Sequence, residues 1–168
     1  PGASNGVGVH YPGVLINELH YNSEDKTRSD EFIELHNAGT ATVDLSGWQF
    51  TGGVTFVFPG GTMMAPGDYL VVAASPTDLL AEFGVTALGP WTGSLSSDGE
   101  TVELRDAAAG VVDRVDFQVG FPWPTTGDDP YNSMELVHPK FDNDLSGSWR
   151  SSLGTPTPGL VNSVLAGN

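Results

Sequence analysis

The sequence predicts an all-β fold, a sandwich or barrel with one short helix, on three observations. Short runs rich in β-branched and aromatic residues recur along the 168-residue chain, turn residues separate them, and 22 Gly and 12 Pro are spread throughout rather than clustered. The length is about one domain's worth, and an apolar share of 39% is adequate for a single core.

Taken in order, residues 1–13 (PGASNGVGVHYPG) are rich in Gly and Pro, lack periodicity and are expected to be a linker. Gly2-Ala3-Ser4-Asn5-Gly6 matches the G-x-S-x-G nucleophile pattern, but no strand precedes it and no helix follows, so it is a chance match. Strands are expected at 14–19, 31–37, 48–51, 54–58, 69–74, 101–105, 111–117 and 133–137, the spacing of an all-β sandwich or barrel. A helix is expected to plug one end of it: Ser75 as N-cap, Pro76 at the first position, Asp78 three residues after the cap, Leu79, Leu80 and Phe83 along it, and Gly84 just past the end. ETVELRD and VVDRVDF form a hairpin in which Gly110 supplies a positive φ. The Gly- and Pro-rich residues 154–168 are expected to be a second linker, leaving one domain over 14–153.

Six Lys and Arg against 21 Asp and Glu give a formal net charge of −15, which repels phosphate backbones and anionic membranes and argues against a nucleic-acid partner. The same charge favours a monomer. The chain has no cysteine, so disulfides and thiolate chemistry are absent. No apolar run approaches the roughly 18 residues of a membrane span, and the N-terminus lacks a basic region followed by an apolar one. The expectation is a piece of a longer protein that does not insert in membranes.

The chemistry-bearing residues raise three candidate sites. In VLINELHYN and DEFIELHN, strict alternation places Ile16, Glu18 and His20 on one face and Phe32, Glu34 and His36 on another. If the two strands pair, two Glu and two His converge as ligands for zinc, manganese or iron, or as an acid/base pair. The alternative is that each bonds a neighbouring strand or loop, with the charged groups near the strand ends. Second, Asp142-Asn143-Asp144-Leu145-Ser146-Gly147 opens like a calcium loop, but Leu153 stands where the twelfth-position Glu belongs, which excludes an EF-hand. Calcium would then be held by Asp142 and Asp144 with Asp128, Asp129 or Glu135; otherwise these acids make Asx-turns in solvated loops. Third, Trp123, Phe121 and Trp91 are the aromatics available as a sugar-stacking surface, since Pro122 and Pro124 keep the first two out of an interior strand. The alternative for them is the core.

Val43-Asp44-Leu45-Ser46-Gly47-Trp48-Gln49 followed by APGDYLVVA, together with VLINELHYN, DEFIELHN, LSSDGETVELRD, VVDRVDF, SMELVHP, SWRSS and GTPTPG, resembles the lamin tail domain family in its bacterial extracellular branch. The resemblance implies an immunoglobulin-like β-sandwich in which FIEL is a structural strand and Trp48 is buried, and it carries no catalytic residues. It further implies a non-catalytic binding or structural accessory module of a secreted or surface bacterial multidomain protein, with a protein or polysaccharide partner. The alternative is a calcium-dependent carbohydrate-binding module attached to a polysaccharide-degrading enzyme. An enzyme is not expected.

Overall fold

The computed structural model describes residues 13–23, 27–124 and 132–166. The Gly2–Gly6 match and nearly all of the expected N-terminal linker lie outside them. In chain order the elements are β1 (Val14–His20), β2 (Phe32–Asn37), β3 (Val43–Asp44), β4 (Gln49–Gly52), β5 (Val54–Val57), β6 (Met63–Met64), β7 (Tyr69–Ala73), α1 (Pro76–Phe83), β8 (Thr92–Gly93), β9 (Gly99–Arg105), β10 (Val111–Gln118), β11 (Met134–Leu136) and β12 (Trp149–Ser151). Two five-stranded sheets form, β12-β11-β1-β2-β7 and β10-β9-β4-β5-β8, with a small β3-β6 ribbon, and every strand pair is antiparallel. All eight expected strands are present. β3, β6, β8 and β12 are short strands that local pattern does not distinguish from turns.

The core lies between the sheets, where Ile16, Leu19, Ile33, Leu35, Leu136 and Trp149 of the first meet Phe50, Val102, Leu104 and Phe117 of the second in one buried cluster. Trp48 joins this cluster, 3% exposed. The first sheet is covered on its outer face too, which is why β2 is apolar on both sides. There Leu79 of α1 packs on Phe32, Val71 and Ala73, so the helix covers a sheet face instead of plugging the sandwich end. Its local signals behave as expected: Ser75 accepts from the Asp78 amide, and Gly84 closes the helix in the left-handed region at φ 71°.

Strict alternation fails in β1. Ile16 pairs with Leu35 and Glu18 with Glu34, so Asn17 is an extra residue in a β-bulge. The bulge puts Ile16 and Leu19 in the core and turns Glu18 outward, so Ile16 and Glu18 do not share a face. Side chains from elsewhere stabilise it: the Ile16 amide donates to Asp113 Oδ2 at 2.6 Å, and the Ile16 carbonyl accepts from Asn143 Nδ2 at 3.1 Å.

The β9–β10 hairpin forms, but its left-handed residue is Ala109 (φ 65°) rather than Gly110. Gly110 serves a close approach instead: a Cβ there would lie 3.1 Å from the Asp106 carboxylate, which accepts from the Ala108 and Gly110 amides. The C-terminal segment has linker composition, yet 154–166 is bound to the sandwich through glutamate side chains of the first sheet and its own Asn162 side chain rather than through a ladder.

Candidate functional site: a sealed row of three glutamates

Across the first sheet the register runs Arg150, Glu135, Glu18, Glu34, Val71 from β12 to β7. Three glutamates thus stand side by side on the outer face, each 0% exposed. Their lid is the C-terminal segment. The Thr157 amide donates to Glu18 Oε1 at 2.9 Å and the Gly159 amide to Glu34 Oε2 at 2.6 Å. Glu135 Oε2 accepts from the Ser163 hydroxyl at 2.8 Å and the Val164 amide at 3.0 Å. Ser133 donates to Glu18 and Asn17 Nδ2 to Glu34. Asn162 pins the segment down by donating to the Asn17 and Leu136 carbonyls at 3.1 and 2.9 Å.

Charged carboxylates taken from water need a cation or a dense set of donors. The ion pairs among the described residues are Arg28–Glu82, Arg105–Glu103 and Arg114–Asp116, none of them in this row. Burial pushes the Glu18 carboxyl up to about 7, against the hydrogen bonds that favour its charged form, with Glu135 adding repulsion. Burial and then the charge of Glu18 push Glu34 up to about 8. Glu18 and Glu34 therefore retain protons near neutrality, and every oxygen of the row lies within hydrogen-bond reach of a group of the same chain. The row faces the chain's own groups and not solvent.

The histidines do not complete a metal centre. His20 lies opposite Phe32 and His36 opposite Leu15, at the two ends of the strand pair. His20 packs on Phe32 and Phe83, with ring centroids at 5.5 and 5.9 Å; His36 stacks on Tyr69 at 4.4 Å, where burial lowers its basicity. Glu34 is also central in its strand, not near an end. Among the described residues no three His, Asp or Glu side chains come together as metal ligands.

Of the expected calcium ligands, Asp142 and Asp144 share a loop and Asp128 and Asp129 lie outside the described residues. Asp142 Oδ1 accepts from the Asp144 amide at 3.0 Å, an Asx-turn, and Asp144 Oδ1 accepts from the Asp116 amide at 2.8 Å. Glu135 is not brought to them, because its carboxylate is held under the C-terminal segment. Among the aromatics, Trp91 and Trp123 are 7% and 9% exposed and belong to the core, so they do not offer open stacking faces. Phe121 is 97% exposed and lines a cavity of about 690 Å³ with Trp123, Arg150 and Leu153.

The sequence does carry a signal for the row. Glu18-Leu19, Glu34-Leu35 and Glu135-Leu136 repeat a Glu-Leu step, each with the Leu in the core and the Glu on the opposite face. Thr157, Gly159 and Ser163 have no comparable signal, since they act through a lid whose docking is a long-range event.

No curated protein matches the chain. The family model of the Lamin Tail Domain matches residues 10–118, well over half of the 168. That match spans β1 to β10, including the FIEL strand and the turn that buries Trp48. The chain belongs to the lamin tail domain family and is an immunoglobulin-like β-sandwich.

Proposed function

We propose that the protein is a non-catalytic binding or structural accessory module of a secreted or surface bacterial multidomain protein. The observation that carries this reading is the enclosure of Glu18, Glu34 and Glu135, each 0% exposed, by groups of the chain itself. The acids best suited by burial to proton transfer are sealed, and what the sandwich presents to solvent is a rigid set of loops and edges. The secreted or surface placement rests on the resemblance to the bacterial extracellular branch of the family.

Two assays test it. Turnover of chromogenic glycoside, ester or phosphoester substrates by the purified domain, lost in Glu18→Gln, would overturn the non-catalytic reading. An antibody to the domain should find the full-length protein in the medium or on the cell surface; a purely cytosolic location would overturn the secreted one.

A second reading, a calcium-dependent carbohydrate-binding module attached to a polysaccharide-degrading enzyme, is favoured by Phe121, which is 97% exposed and lines the cavity together with Trp123 and Leu153. Asp142 and Asp144 would be its cation-binding loop. Co-sedimentation with insoluble polysaccharides in millimolar calcium, abolished by EDTA and by Phe121→Ala, is its expected result; equal recovery in the supernatant with and without calcium rejects it.

A further inference from the structure

Thr157 Oγ1 lies 3.2 Å from Glu18 Oε2 and 2.9 Å from Glu135 Oε1. A hydroxyl carries one hydrogen and cannot donate to two carboxylates at once. With both acids ionised, one of these contacts would set lone pair against lone pair inside the fold. A proton on Glu18 Oε2 removes the conflict: Glu18 donates to Thr157, and Thr157 donates to Glu135. The hydrogen-bond chain is then continuous from β1 through the lid to β11.

Among the described residues nothing nearby substitutes for that proton. Residues 154–166 contain no ionisable side chain. The sheet contributes Glu34 from β2 and Glu135 from β11. Arg150 neighbours Glu135 in register, but its guanidinium donates to the Gly147 and Trp149 carbonyls. Tyr69 of β7, which feels the charge of Glu34, and His36 of β2 stack together at one end of the face, and His20 of β1 sits among Phe32 and Phe83 at the other. On α1, Asp78 is bound to the Ser29 amide and Glu82 to Arg28.

We propose that the Glu18–Glu34–Glu135 row and residues 157–164 form a proton-held latch. With the proton in place the C-terminal strap is seated on the sheet; its loss turns adjacent carboxylates against one another and frees the strap. Burial of Glu18 and Glu34 sets release in the neutral to mildly alkaline range. Release uncovers an anionic strip across β11, β1 and β2, so the face the module presents depends on pH.

Amide hydrogen exchange of the intact protein between pH 6 and pH 9, corrected for base-catalysed chemical exchange, tests the latch. The Thr157, Gly159 and Val164 amides all donate to the glutamates, and the β2 amides of Ile33 and Leu35 serve as reference. One proton held with a midpoint near 7 predicts about a tenfold loss of protection over this range, confined to the strap. In Glu18→Gln the side-chain amide donates permanently to Thr157, so protection at pH 6 is retained and the tenfold loss due to Glu18 disappears from the Thr157 and Val164 amides, leaving only the fall that Glu34 causes at Gly159. Protection that stays constant in the wild type, falls equally in β2, or falls equally in Glu18→Gln overturns the proposal. Should Glu18→Gln not fold, the wild-type series decides alone, by whether the loss is confined to the strap.

Discussion

The carboxylate of Asp113 accepts two hydrogen bonds that hold the bulge in β1, from the Ile16 amide at 2.6 Å and from Asn143 Nδ2 at 2.8 Å. One oxygen thus joins the second sheet, the first sheet and the 138–148 loop. Asn143 ties the loop further through its carbonyl, which accepts from Trp149 Nε1 at 2.7 Å. Asn143→Ala leaves a buried carboxylate and the Ile16 carbonyl short of a donor, and should cost about 2–3 kcal/mol. Chemical denaturation with an unchanged m-value is the check; a loss below about 0.5 kcal/mol would refute this role.

This bulge marks where the sequence stopped being legible. Strand positions follow from composition and turns, and β2 follows from FIEL being apolar on both faces. The facing of β1 does not follow, because one inserted residue reverses every side chain beyond it and its supports, Asp113 and Asn143, are about a hundred residues away in the chain. The Glu-Leu repeat is legible but ambiguous. Val102-Glu103-Leu104 shows the same step, yet Glu103 is half-buried and bonded to Arg105, and among the described residues it accepts from no strap like the one over the first sheet. Burial of the acid is decided by the lid, and a Gly- and Pro-rich lid has the composition of a linker. The tryptophans misled for a related reason: prolines beside Trp123 exclude an interior strand, but not burial from a loop.

Gly52 crosses β9 at φ 111°, and a Cβ on it would lie 2.0 Å from the Thr101 carbonyl oxygen. Gly52→Ala combines a disfavoured backbone with a collision against main chain that cannot rotate away. The expected cost is about 3 kcal/mol or more. A thermal melt within a degree of the wild type would show that β4 and β9 are looser than their register implies.

Phe121 and Trp123 are two residues apart and should behave oppositely. Phe121→Ala removes a ring already in water and should leave stability within about 0.5 kcal/mol. Trp123→Ala, like Trp91→Ala, empties a core position and should cost about 3–5 kcal/mol. Equal melting temperatures for Phe121→Ala and Trp123→Ala would contradict the burial of Trp123.

Stability should fall as pH rises from about 5 to about 8.5, the reverse of ordinary paired carboxylates. Glu18, Glu34 and Asp113 are pushed by burial from 4.5, 4.5 and 3.8 to about 7, 8 and 6. Over that window the folded state holds protons that the unfolded state has released, so their stabilisation is complete only below the unfolded values and is lost as pH climbs through the folded ones. For Glu18 alone the swing is on the order of 3 kcal/mol. Self-repulsion at a formal charge of −15 also opposes folding, but repulsion among exposed carboxylates is screened by salt, whereas a buried titration is screened far less. Melting temperatures in low and high salt therefore separate the causes. A decline that persists at high salt and flattens in Glu18→Gln assigns it to Glu18, one that persists at high salt but is unchanged in that variant assigns it to Glu34 and Asp113, and a decline abolished by salt would place its origin at the surface.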